Sequence, residues 1–117
     1  MGGNVHVKSG SVKTVLPATT VTVTGGAIYK DAPKSAIDAA VVGTGAVTAT
    51  IVIDCSNGTL DAAGAIIWNA TPLGTITLSG TTSASDGFTT DSPWKFIRAR
   101  VTAISGTGAT VTAVMGV

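Results

Sequence analysis

Phe96-Ile97-Arg98-Ala99-Arg100-Val101-Thr102-Ala103, then Gly106-Thr107-Gly108, then Ala109-Thr110-Val111-Thr112-Ala113-Val114-Met115, is the stretch that decides the fold. Two alternating runs flank a glycine-rich turn. Side chains along a strand point to opposite faces in turn. Ile97, Ala99, Val101 and Ala103 therefore share one face, and Ala109, Val111, Ala113 and Met115 share another. The spacing predicts a β-hairpin. A two- or four-residue loop would set these apolar residues against Thr110 and Thr112, because a one-residue slip flips every side chain. An odd loop keeps the apolar sets together, and Gly106-Thr107-Gly108 suits a three-residue loop with Gly108 in the left-handed region. The opposite face carries Trp94, Phe96, Arg98, Arg100 and Thr102. Amphipathic aromatics beside arginines are what contact surfaces favour, which makes Trp94, Phe96, Arg98 and Arg100 candidate protein-contact residues. The alternative is that Trp94 or Phe96 folds over a sheet edge and the arginines are merely solvated.

Outward from this segment the same alternation recurs. Ala46 to Cys55 is the longest strand expected, with Val47, Ala49, Ile51, Ile53 and Cys55 on one face and Thr48, Thr50 and Asp54 on the other. Ser56-Asn57-Gly58 signals a turn, since Asn and Gly tolerate positive φ. Leu73 to Ser79 alternates with Ile76 and Leu78 inward, and Thr19 to Thr24 alternates with Val21 and Val23 on one face. Ile37 to Val42 is a strand or one short helical turn. Asp61 to Gly64 is expected as a loop and Gly80 to Ser92 as a polar loop. Residues 1–18, interrupted by Gly10 and Pro17, are expected to form an extended N-terminal arm before a single domain over 19–117. Gly43-Thr44-Gly45-Ala46 and Gly106-Thr107-Gly108-Ala109 echo one another, through repeated turn chemistry or through duplication.

Composition agrees with strands. The 117 residues include no Glu and no Gln, and Leu occurs only at 16, 60, 73 and 78. These good helix formers give way to Thr, Val, Ile, Ala and Gly, and the β-branched ones suit a pleated surface. The expected fold is all-β, an antiparallel β-sandwich of jelly-roll-like type with seven to nine short strands. A chain of this length buries roughly two-thirds of the surface it exposes when unfolded.

Charge is scarce. Charged residues make up 11% of the chain, against about 25% in an ordinary domain. The seven Lys and Arg residues are scattered and the net charge is +1, whereas nucleic-acid binding needs clustered cations. A mean hydropathy of +0.49 fits a surface partly covered in an assembly, or follows from the many Ala and Gly residues. No apolar run approaches the ~20 residues of a membrane helix, so no membrane association is expected. Met1 to His6 lacks the basic end and long apolar run of a signal peptide, and a chain made without an export signal is expected.

Chemistry has few places to reside. His6 is the single histidine and Cys55 the single cysteine. Zinc needs three or four such ligands, and Cys55 falls on an apolar strand face as a structural residue does. A hydrolase would need His6 beside Asp or Ser. Asp31, Asp38, Asp54, Asp61, Asp86 and Asp91 each lie in or beside a turn, where local hydrogen bonds favour Asp. Asp86 and Asp91 share one polar loop without the spacing of a calcium-binding loop. No enzyme activity, metal or cofactor is expected.

From about Val47 onward the chain resembles small structural proteins of tailed bacteriophages. The resemblance lies in Ile51-Val52-Ile53-Asp54-Cys55-Ser56-Asn57-Gly58, Leu78-Ser79-Gly80 and Ala84-Ser85-Asp86-Gly87. It continues in Pro93-Trp94-Lys95-Phe96-Ile97-Arg98-Ala99 and Gly106-Thr107-Gly108-Ala109-Thr110-Val111. Such proteins are similar to jelly-roll cement or decoration proteins, which sit on the capsid exterior and tie major capsid subunits together. The resemblance implies a virion structural protein made in the host cytoplasm. Its implied partners are the major capsid protein and further copies of itself, as a homodimer or trimer, with Trp94, Phe96, Arg98 and Arg100 at or near a contact. A different class, a surface or tail-associated module, would recognise carbohydrate through Trp68 and Trp94.

Overall fold

A computed structural model describes residues 11–30 and 33–117. Nine strands form two packed antiparallel sheets, and the described residues contain no helix. The first sheet has the order β1 (Val12–Thr19), β9 (Thr110–Gly116), β4 (Ser35–Val42), β7 (Ser83–Thr90). The second has the order β2 (Val23–Thr24), β8 (Phe96–Ser105), β5 (Val47–Ser56), β6 (Gly74–Gly80), and β3 (Ile28–Tyr29) shares the β2 side of β8. Strand partners nest from the outside inward: β1 with β9, β2 with β8, β4 with β7, β5 with β6. This is one long hairpin wrapped around itself, the jelly-roll order.

The core lies between the sheets. Val47, Ala49, Ile51, Ile53 and Cys55 of β5 are all buried, as their alternation predicts, and face Ile37, Ala39 and Val41 of β4. Ala109 and the β9 residues Val111, Ala113 and Met115 are buried as well. Each fully buried aliphatic side chain contributes roughly 1.5–3 kcal/mol. Many inward positions are alanines, so the stability comes from many modest contributions.

The expected hairpin of residues 97–115 does not form. β8 pairs with β5, β2 and β3, whereas β9 pairs with β1 and β4 in the other sheet. The two apolar faces do meet in one core, but across the sandwich instead of side by side. Loop parity governs register only where the flanking strands pair, and here residues 106–109 cross the ~10 Å between sheets. Gly108 does occupy the left-handed region (φ +69°), and Gly106 has φ +117°.

A bulge also alters β8. Thr50 faces Ala103 while Ile51 faces Val101, leaving Thr102 unmatched. The extra residue reverses the inward–outward phase. Ala103, expected in the core, is exposed, and Ile104 packs against the core in its place.

Elsewhere the boundaries shift. The strand expected over 19–24 is reduced to β2, and Val21 lies exposed in the crossing from β1. Residues 35–42 form a strand along their whole length. The polar loop expected over 80–92 contains β7, paired with β4 from Ser35–Thr90 to Val42–Ser83. Only Ala84 and Phe88 of β7 pack against the core, so this edge strand has little apolar alternation to announce it. The arm expected over 1–18 is described from Ser11. Its residues 12–18 are extended and belong to β1, where Val15 and Leu16 enter the core.

The two echoing turns come together. Residues 43–46 carry the chain from the first sheet to the second, and residues 106–109 carry it back. The Thr44 backbone N–H and hydroxyl both donate to the Thr107 carbonyl at 3.1 Å. A Cβ on Gly43 would lie 2.5 Å from Val47, and one on Gly106 would meet the Ala46 carbonyl. Glycine at both turns thus permits their close stacking.

Candidate functional site

β8 presents Phe96, Arg98 and Arg100 on the outer face of the second sheet, while Ile97, Ala99 and Val101 point into the core. Directly opposite Arg98 on β5 stands Asp54. Its side chain is only 4% exposed, although it lies on the face away from the core. Arg98 Nε donates to Asp54 Oδ2 at 2.7 Å. Arg100 donates twice, from Nε to Oδ2 at 2.6 Å and from Nη2 to Oδ1 at 3.1 Å. Burial alone would raise the Asp54 carboxyl. Hydrogen bonds from Arg100 and Arg98, together with their charges, more than offset it and hold the group below the usual carboxylate range. The same pairing raises Arg100 further. One carboxylate against two guanidinium groups leaves this three-residue cluster with a net positive charge.

The β5–β6 connection, residues 57–73, folds back over the end of β5. Ser56 Oγ donates to the Ile67 carbonyl at 2.7 Å and accepts from the Gly58 N–H at 2.9 Å; the Asn69 N–H donates to the Cys55 carbonyl at 3.1 Å. A bridge between Leu60 and Ile66 shapes the connection into a short ribbon. Its end places Trp68 under Arg98, whose guanidinium carbon lies 4.6 Å from the ring centroid. Such stacking attracts the cation to the ring face.

Phe96 continues the face toward the sandwich end. Tyr29 of β3 meets it edge-on with 5.5 Å between ring centroids. Gly58, at φ +90°, leaves room for the Phe96 ring, which a Cβ there would approach to 2.7 Å. Trp94 stands apart from this row, half-buried before β8. It lines a cleft of about 430 Å³ with Cys55, Asn69 and Leu73, and a second of about 330 Å³ with Asn57 and Pro93. Lys30 is buried at the same end, where Nζ donates to the Pro33 and Ser92 carbonyls at 2.8 Å each. Burial, with help from Lys95, lowers its pKa.

Of the four expected contact residues, the fold thus gathers Phe96, Arg98 and Arg100 on one surface and sets Trp94 at its end. The arginines are neither simply solvated nor free, since Asp54 anchors both. Asp54 and Tyr29 escaped sequence reasoning because their roles depend on which strands are neighbours. Among the described residues, no three His, Cys or Asp side chains gather to hold a metal ion. His6 and Asp31 lie outside the described residues. No family model, no curated protein and no solved structure matches the chain.

Proposed function

We propose that the protein is a non-enzymatic structural component of a tailed-phage virion, a cement or decoration protein that binds the capsid exterior and reinforces it. One observation carries this proposal. Residues 51–58 and 93–99, two of the segments that resemble phage structural proteins, are far apart in sequence yet adjacent at β5 and β8. There they build the arginine–aromatic face between them, through Asp54 with Arg98, Gly58 with Phe96, and Asn57 with Lys95. A clamp between capsid subunits needs a rigid scaffold and an adherent surface. The jelly-roll framework supplies the first, and this face is suited to the second. The partners on this proposal are the major capsid protein and further copies of the chain.

The test is biochemical. The protein should co-purify with intact particles and come off under mild denaturation. Its absence from purified virions ends the proposal. A second reading, carbohydrate recognition, draws on Trp94, which lines two clefts at the sandwich end. It asks for strong quenching of Trp94 fluorescence by a bound sugar. Trp68 is a poorer platform, because Arg98 already covers one side of its ring.

A further inference from the structure

We infer that Arg98 is the receptor for a carboxylate on a partner protein, so that the surface docking on β8 is acidic at its centre. The inference rests on reading this face as a protein-contact surface, and it names the chemistry of what docks there.

Three features of the site converge on this ligand. The guanidinium of Arg98 is fixed before any partner arrives, because Asp54 Oδ2 holds Nε and Trp68 supports the planar face. Its Nη1 and Nη2 make no hydrogen bond among the described residues, and the side chain keeps 26% of its surface in water. That leaves an end-on fork of two parallel donors, the geometry that meets a carboxylate in bidentate fashion. Charge points the same way. Asp54 is already shared between Arg98 and Arg100, so among the described residues this pair of arginines has one carboxylate in salt-bridge contact for two positive charges. Tyr29, 55% exposed, packs edge-on against Phe96, two residues before Arg98 on β8, and adds apolar surface to the same strand face. A point charge such as lysine would need neither the stacking nor the Nε anchor.

The experiment is a titration followed by NMR, reading the Arg98 Nε–H and the Trp68 indole N–H. The probes are two capped tripeptides, Gly-Glu-Gly and Gly-Gln-Gly, with inorganic phosphate as a third, all at constant ionic strength. The Glu peptide should shift both signals saturably and bind at least about tenfold more tightly than the Gln peptide. Arg98→Gln should abolish the preference while Arg100 keeps Asp54 paired. Arg98→Lys, which retains the charge but not the fork, should weaken the Glu peptide several-fold. Thr24→Glu sets a carboxylate opposite Arg100 on the same face with all of the cluster intact, and should weaken binding. Ser85→Glu, exposed in the other sheet, should leave it unchanged.

Equal response to the two peptides overturns the inference, as does a preference that survives Arg98→Gln. Phosphate binding about tenfold more tightly than the Glu peptide also overturns it, in favour of a phosphate-bearing ligand. Failure to find the protein on virions would remove the capsid proposal alone, since the peptide titration needs no particle.

Discussion

Arg100 grips Asp54 side-on across the β5–β8 ladder, with Nε at 2.6 Å from Oδ2 and Nη2 at 3.1 Å from Oδ1. Arg98 then adds a third hydrogen bond to the same carboxylate. A carboxylate this well enclosed depends on its partners, because removing one leaves a charge that water cannot reach. Arg100→Ala should therefore cost about 2 kcal/mol. This is below the value for a fully buried pair, because the Arg100 side chain is 32% exposed. A urea titration at neutral pH reads the loss from the midpoint. A change within experimental error would show that Arg98 alone satisfies Asp54.

Acid should reveal the same cluster. The folded pKa of Asp54 lies below its unfolded value of about 3.9. Its contribution is thus present above that pH and is lost as pH falls through the folded value. Stability should decline below about pH 4. Asp54→Asn should flatten that decline. Thermal unfolding from pH 2 to pH 6 gives both curves, and parallel slopes would contradict the assignment.

The stacked turns are sensitive to a single methyl group. Gly106 combines φ +117° with a backbone carbonyl where a Cβ would sit. Gly106→Ala should cost about 2–4 kcal/mol. Gly45→Ala, two residues from Gly43 in the facing turn, has nothing within 4 Å of its Cβ position and should stay within about 0.5 kcal/mol of the parent. Chemical denaturation of both variants makes the comparison, and equal effects would argue against the turn geometry.

The β8 bulge gives a contrast between two alanines. Ala99→Asp places a carboxylate at a fully buried position and should prevent folding, with a cost above about 4 kcal/mol. Ala103→Asp falls past the phase reversal at an exposed position and should change stability by less than about 0.5 kcal/mol. Circular dichroism of the two proteins decides it. An unfolded Ala103→Asp would restore the uninterrupted alternation that the sequence suggests.

Strand faces were legible wherever one residue in two was apolar and the other was not. Val47 to Cys55 and Ala109 to Met115 could be assigned without knowing what they packed against, since alternation is a local property. Neighbour relations are not local. Ile97–Val101 and Val111–Met115 present matching faces, and nothing in either run distinguishes pairing from facing across a core. The β7 segment, with Ser85, Asp86 and Gly87 at its centre, takes its extended form from the β4 ladder and not from its own propensity. The arginine face was half visible. Alternation placed Phe96, Arg98 and Arg100 together, but Asp54 becomes their anchor only through the register of β5 against β8.

The position of β9 governs when this protein can fold during its synthesis. It lies between β1 and β4, and Val12 pairs with Gly116 while the Val117 N–H donates to the Ser11 carbonyl at 2.9 Å. β1 therefore waits for a partner about ninety residues further along the chain, and the first sheet has no middle until residues 110–116 have been made. At roughly 5–20 residues per second, β1 and β4 spend seconds with open edges. Lys13 and Pro17 on β1 are the kind of residues that discourage wrong partners during such an interval.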